Sequence, residues 1–275
     1  MKHVILIAAM IALTACQTTV RGQKFTDDTQ LNIDATIDKG LIRTSTALGD
    51  ATGLYAVTPD EDALAKGAGV ADAKFANISK NLKGKKAPVF IYQHGCAGVL
   101  LKDINLVNNI ARKSKKEFVA IYTDTFARLR PDACDQFNLS ITSFYNRSLD
   151  YRRAELQNVI NKLAKQDWVK EVWLMGHSQG GSVVSEFINQ SSTVKVAGRI
   201  LYAGASTESN IEDGEKVYVI HSKNDPWKWI ANNSRCPEFG RDHNGTLDIS
   251  DLPTHSLLSR DKHFDKLVKW LDDSM

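Results

Sequence analysis

The run Val172-Trp173-Leu174-Met175-Gly176-His177-Ser178-Gln179-Gly180-Gly181-Ser182-Val183-Val184 holds two kinds of structure joined end to end. Its first four residues are bulky and apolar, a continuous run that reads as a strand buried on both faces. Gly180-Gly181-Ser182-Val183-Val184 opens a helix. Between them Gly176-His177-Ser178-Gln179-Gly180 must turn the chain sharply, which forces Ser178 into a strained backbone conformation. Glycines two positions away on each side let the neighbouring chains approach without collision. The turn lifts the Ser178 hydroxyl out at the carboxyl end of the strand, where it is a candidate nucleophile.

Outward from that turn the same pattern repeats. Val89-Phe90-Ile91-Tyr92, Phe118-Val119-Ala120-Ile121-Tyr122, Arg199-Ile200-Leu201-Tyr202 and Val217-Tyr218-Val219-Ile220 are short β-branched or aromatic runs, read as buried strands. Helical spacing fills the intervals: Ile104, Val107, Ile110 and Ala111, then Leu149, Arg153, Leu156, Val159, Ile160 and Leu163, and finally Phe264, Leu267, Val268 and Leu271. Alternation of strand and helix specifies an α/β fold, a mostly parallel central sheet with helices on both faces. In such a sheet functional groups belong in the loops at the carboxyl ends of the strands. Before Pro88 the elements are peripheral: a short strand at Gly53-Leu54-Tyr55-Ala56-Val57, then an Ala/Lys/Asp-rich stretch to Gly84 that reads as a surface helix.

A serine hydroxyl is a poor nucleophile at neutral pH and needs a base, itself oriented by an acid. A serine on a strand-to-helix turn takes those partners in the chain order carboxylate, then histidine. Asp225, in His221-Ser222-Lys223-Asn224-Asp225-Pro226 just past a strand, is the acid the order favours. An aspartate before proline also serves simply to form a turn, and Asp242, Asp248 and Asp251 compete with it. His255, in a loop between the strand-like Thr246-Leu247-Asp248-Ile249 and the last helix, is the favoured base. His263, inside that helix, reads as a surface or capping residue, and His243 has less support. His221 and His94 precede the acid or the serine and break the order. The oxyanion of a tetrahedral intermediate requires donors, which the backbone N–H groups of Gln179 and, from the glycine-containing turn His94-Gly95-Cys96-Ala97-Gly98, of Cys96 would supply.

Taken together, His94-Gly95-Cys96-Ala97-Gly98, Asp124-Thr125-Phe126-Ala127-Arg128 and Gly176-His177-Ser178-Gln179-Gly180-Gly181 resemble the dienelactone hydrolase-like branch of the α/β hydrolases, over roughly Pro88 to His255. The resemblance implies the α/β-hydrolase fold and lays on Arg128 the role of holding a substrate carboxylate, for which a planar guanidinium fork is suited. A surface arginine paired with Asp124 or Asp132 is the competing reading. The chain departs from those enzymes in carrying serine where they have a cysteine nucleophile, and His94-Gly95 where they have a glutamate-bearing loop. The same resemblance places Cys134 on the cleft side of the sheet, so that a Cys96–Cys134 disulfide is the first expectation, with Cys134–Cys236 left open.

At the amino terminus Lys2 precedes an apolar stretch, Val4 to Leu13, that fits a secretory signal and is too short to span a bilayer. It ends in Leu13-Thr14-Ala15-Cys16, which resembles a bacterial lipobox. That implies removal of residues 1–15, lipidation of Cys16 and stable attachment through several acyl chains. Gln17 after the cysteine points to the outer membrane in a Gram-negative envelope, with the protein facing the periplasm or exterior. Residues 16–50, rich in Thr, Asp and Gln, read as a tether and peripheral segment, and 51–275 as the catalytic domain. Export removes the reducing environment, so of the three remaining cysteines two are expected to pair.

Bulk composition agrees with one large folded domain: 43% hydrophobic and 24% charged residues suit neither general disorder nor several membrane spans. The net charge of +3 is spread along the chain, and nucleic acid is not an expected partner. No C-x-x-C or other ligand spacing calls for a metal, and no organic cofactor is implied. These readings converge on a serine hydrolase acting on a small-molecule ester, thioester or lactone. A catalytically silent binding lipoprotein of the same fold and an acyltransferase using the same triad are the alternatives.

Overall fold

In a computed structural model of the chain, residues 42–44, 53–57, 82, 84–96, 98, 101–124, 142–227 and 234–275 are described. The stretch from 58 to 81, read as a surface helix, lies outside them. So do residues 1–41, which carry the signal and Cys16, and the segment holding Arg128 and Cys134.

The strands are β1 (Ile42–Thr44), β2 (Gly53–Val57), β3 (Ala87–Gln93), β4 (Val119–Asp124), β5 (Val169–His177), β6 (Val196–Tyr202), β7 (Lys216–Ser222) and β8 (Thr246–Ser250). Between and after them run α1 (Leu101–Lys113), α2 (Thr142–Leu163), α3 (Gln179–Glu186), α4 (Cys236–Asp242) and α5 (Asp261–Ser274). They form one sheet in the order β1-β2-β4-β3-β5-β6-β7-β8, antiparallel where β1 and β2 join and parallel from β4 through β8.

Successive residues of a strand face opposite ways, and here both ways are inward. Val89, Ile91, Val172, Leu174, Val217 and Val219 pack under α2, α3 and α4 with Leu156, Ile160, Val183, Phe187 and Phe239. Phe90, Tyr92, Trp173, Met175, Tyr218 and Ile220 pack on the other side under α1 and α5 with Val107, Ile110, Phe264, Leu267 and Leu271. Apolar residues at consecutive positions therefore mark strands sandwiched between helices.

Sheet order also fixes where a ligand can enter. The chain leaves β3 toward β4 on one side and returns through α2 to β5 on the other, so β3 and β5, paired from Ala87↔Val169 to Gln93↔Gly176, form the switch point. In open α/β sheets ligands bind outside the carboxyl ends of the strands at such a point, and here it brings Gly95, just past β3, against Ser178, just past β5.

The helix α2 corrects one detail of the sequence reading. Arg153 belongs to the expected apolar stripe by spacing, yet it is half-buried and paired with Glu186 and Asp150. Arg152, one position earlier, lies on the buried face with Leu149, Leu156 and Leu163, at 1% exposure.

Candidate active site

Ser178 sits between β5 and α3 with φ 57° and ψ −121°, a conformation that costs an L-residue about 1–3 kcal/mol and persists only where the surroundings enforce it. Two close approaches do so. A Cβ on Gly176 would lie 2.0 Å from Gly180 O, and one on Gly180 would lie 2.1 Å from Gln93 O. Both glycines are thus required by backbone passing backbone. The serine occupies the N-cap position of α3 but its side chain does not cap the helix, leaving the hydroxyl directed elsewhere. Its own N–H donates to Tyr202 O at 2.8 Å, tying the turn to β6.

Asp225 and His255 are brought together from 30 residues apart, with His255 Nδ1 2.7 Å from Asp225 Oδ2. A carboxylate only accepts, so it is Nδ1 that donates, leaving Nε2 as the ring nitrogen turned away from Asp225. Asp225 is fully buried while the His255 side chain retains 15% exposure. The other carboxylate oxygen, Oδ1, accepts the N–H of Trp227 at 2.8 Å. Asp225 therefore forms the turn before Pro226 and also orients an imidazole. Trp227, half exposed, stacks on the His255 ring with centroids 5.7 Å apart.

His177, the residue before the serine, fixes the approach of the histidine loop. Its ring lies between those of Tyr202 and His255, at 4.4 and 4.8 Å between centroids, and its Nε2 donates to His255 O at 3.3 Å. Burial brings its pKa down to about 3, with the nearby His255 and Lys102 adding to the fall and the bond to the His255 carbonyl opposing it. Tyr202 completes the brace, its hydroxyl oxygen accepting the N–H of Leu258 at 3.2 Å.

The β3 loop reaches Ser178 directly: a Cβ on Gly95 would lie 3.3 Å from Ser178 Cβ. Gly95 O is held by His94 Nδ1 at 2.5 Å and by Gly98 N at 3.3 Å. In a trans peptide the N–H points opposite to the C=O, so these contacts also fix the direction of the Cys96 N–H. Gln179 is the first residue of α3, which puts its N–H at the N-terminus of the helix, next to Ser178. His94 itself is buried at 1% exposure, its ring directed to Gly95 O.

Remaining expectations fall out differently. His263, read as a surface or capping residue, is buried and its Nδ1 lies 2.7 Å from Asp248 Oδ2, with Lys266 Nζ at 2.7 Å from Oδ1. Asp248 is thereby committed to another histidine, and Asp251 to Lys223 on the surface. Among the described residues no disulfide is seen. Cys236 is a buried thiol whose Sγ donates to Gly204 O at 3.7 Å, and burial pushes its pKa up. Of the expected Cys96–Cys134 pair Cys96 is described and half-buried, while Cys134, like Arg128, lies outside the described residues. Arg152, which no motif flagged, lies at the centre of the site's supports. Only its place on the apolar stripe of α2 could have singled it out.

These features define the α/β-hydrolase fold: a mostly parallel sheet, a serine on a strained strand-to-helix turn and an Asp–His pair on later loops. Residues 70–201, a stretch just short of half the chain, match the family described as "Alpha/beta hydrolase of unknown function (DUF900)". No curated protein matches the sequence. Solved structures of similar fold include esterase PE8, at 14% identity and a TM-score of 0.52, covering 70% of this chain and 94% of that one. The Pyrococcus furiosus esterase Pf2001 is 11% identical with a TM-score of 0.52, covering 87% of this chain and 96% of that one. Est1E from Butyrivibrio proteoclasticus, solved with ferulic acid bound, is 15% identical with a TM-score of 0.50, covering 82% and 95% respectively.

Proposed function

We propose that the chain is a serine hydrolase that cleaves an ester, thioester or lactone through an acyl-enzyme at Ser178. The observation that carries this reading is a strained Ser178, unused as a helix cap and next in the chain to the His177 ring that packs on His255, together with a buried Asp225 hydrogen-bonded to His255 Nδ1. Ser178 Oγ attacks the substrate carbonyl carbon while His255 Nε2 takes its proton. The carbonyl oxygen becomes an oxyanion and is received by the N–H groups of Gln179 and Cys96. Collapse of the intermediate breaks the bond to the leaving alcohol or thiol, which takes the proton from His255. Water then enters by the same route, giving up its proton to His255, and releases the acid with Ser178 restored.

A fluorophosphonate probe, which phosphonylates activated serines, tests the assignment. Wild type is expected to be labelled on the peptide containing Ser178, with labelling and turnover of p-nitrophenyl acetate in Ser178→Ala reduced by at least about a thousandfold. Undiminished labelling of the variant removes Ser178 from the role. A folded wild type that takes no label favours a silent scaffold.

Two finer parts belong to the same proposal. Arg128 would hold an acidic group of the substrate, as its resemblance to the dienelactone hydrolase-like stretch suggests. Cys16 would carry the lipid that keeps the enzyme in the bacterial envelope, facing the periplasm or exterior.

A further inference from the structure

Arg152 occupies the buried face of α2, far along the chain from the motifs that define the site, yet its guanidinium contacts both loops from which oxyanion donors are drawn. Nη1 donates to Gln179 Oε1 at 2.9 Å, on the first residue of α3. Nη2 donates to His94 O at 2.5 Å and reaches Gln93 Oε1 at 3.5 Å, at the end of β3. The two elements it bridges also meet directly, since Gly180 has no room for a Cβ against Gln93 O and His94 O. A guanidinium is always charged and costly to bury, and here it is Nη1 and Nη2 whose donors the two elements satisfy.

We infer that Arg152 is a positioning residue of the oxyanion hole: its fork holds the exit of β3 and the start of α3 at the spacing where the Cys96 and Gln179 N–H groups converge on one oxygen. The inference rests on the acyl-transfer reading of Ser178. Peptide geometry gives it force. Pinning His94 O fixes the plane of the His94–Gly95 peptide, and the His94 side chain and Gly98 N fix the next one through Gly95 O. The Cys96 N–H then has little freedom to turn. On the other side, the bond to Gln179 Oε1 anchors the helix end that presents the second N–H. A lysine could satisfy one of these acceptors but not both at once, because its ammonium is a single point on a flexible stem.

The charge on an oxyanion exists only in and near the transition state, so misplacing its donors lowers kcat and leaves substrate binding nearly unchanged. Three variants separate this from a merely structural role: Arg152→Lys, Gln179→Leu, which cuts one arm from the far side, and Gln179→Glu, which preserves an acceptor for Nη1. Turnover of p-nitrophenyl acetate, inhibition by phenylboronic acid (which forms a tetrahedral adduct on a serine) and thermal midpoint are measured for each. Arg152→Lys and Gln179→Leu are expected to lose about ten- to a hundredfold in kcat with KM within about threefold, and the boronate inhibition constant to rise by a similar factor. Gln179→Glu is expected to recover at least about fivefold of the kcat that Gln179→Leu loses. Wild-type kcat in Arg152→Lys overturns the inference. So does a loss that appears equally in KM, that leaves boronate affinity unchanged, or that Gln179→Glu shares with Gln179→Leu. A wild type in which Ser178 is not labelled by fluorophosphonate sinks the hydrolase reading itself, and that failure is visible before any variant is made.

Discussion

His177 owes its behaviour to its neighbours on every side: the Tyr202 ring, the His255 ring and the Gly95 backbone. With its pKa brought down to about 3, it remains neutral throughout the range in which a hydrolase works. The same shift couples to stability. In the unfolded chain a histidine titrates near 6.5, so between about 6.5 and 3 the unfolded state binds the extra proton. The contribution of His177 is therefore fully present above about 6.5 and is lost as pH falls toward 3, at no more than about 1.4 kcal/mol per pH unit. Urea unfolding at pH 7 and pH 4.5 should show wild type losing about 2–3 kcal/mol more than His177→Gln over that interval. Parallel losses would mean that the ring is not held neutral. At Asp225, too, the details matter: spacing left open whether this residue forms a turn or orients a base, and its two oxygens do both.

Among the elements, α3 is the one on which the site depends most, and at eight residues it has little helical stability of its own. Its N-terminus starts from a strained serine. Its other end is tied down by Arg199 of β6, whose Nη1 donates to Val184 O at 2.7 Å and to Phe187 O at 2.8 Å. The rest of that guanidinium forms a two-pronged pair with Glu215, through Nε to Oε2 and through Nη2 to Oε1 at 2.9 Å. Both side chains are buried. Replacing Arg199 by Leu strands the Glu215 charge and the carbonyls at the end of α3. The expected cost is about 3–5 kcal/mol, read as a lowered urea midpoint. A change below about 1 kcal/mol would show that water or other donors take over the role. Arg199 was visible in sequence only as the first residue of an apolar strand, and nothing in that context announced its partner sixteen residues away.

For the whole molecule, the sheet with helices on both faces gathers Ser178, Asp225 and His255 on the loops beyond the carboxyl ends of its parallel strands. The proposed attachment at Cys16 would hold this body beside a membrane, with the segment between Cys16 and β1 as the spacer; β1 itself, expected in the tether, belongs to the sheet. Cys16→Ser tests it: wild type expressed in a bacterial host should sediment with membranes and partition into detergent, and the variant should appear in the soluble fraction. Equal partitioning of the two leaves the anchor without support. A lipid anchor sets where the enzyme acts and leaves the site's chemistry untouched, so purified Cys16→Ser should keep full labelling at Ser178.

Sequence settled those features that depend on residues close together in the chain. Consecutive apolar residues in strand-length runs can be buried only between two layers of helices, and a serine flanked by glycines between such a run and a helix has one turn available to it. The order of acid and base narrowed the partners to Asp225 and His255, because each falls just after a strand, where loops gather at one edge. Contacts between side chains from separate elements were beyond it. Whether Arg152 or Arg153 turns inward depends on the rotation of α2 against β3 and α3, which apolar spacing fixes only to within a residue. The fate of His263 depended on Asp248 lying opposite in the finished sheet, and the tautomer of His177 on which carbonyl the His255 loop brings to it. Such pairings arise when the fold closes, since distance along the chain carries no information about which buried donor will meet which acceptor.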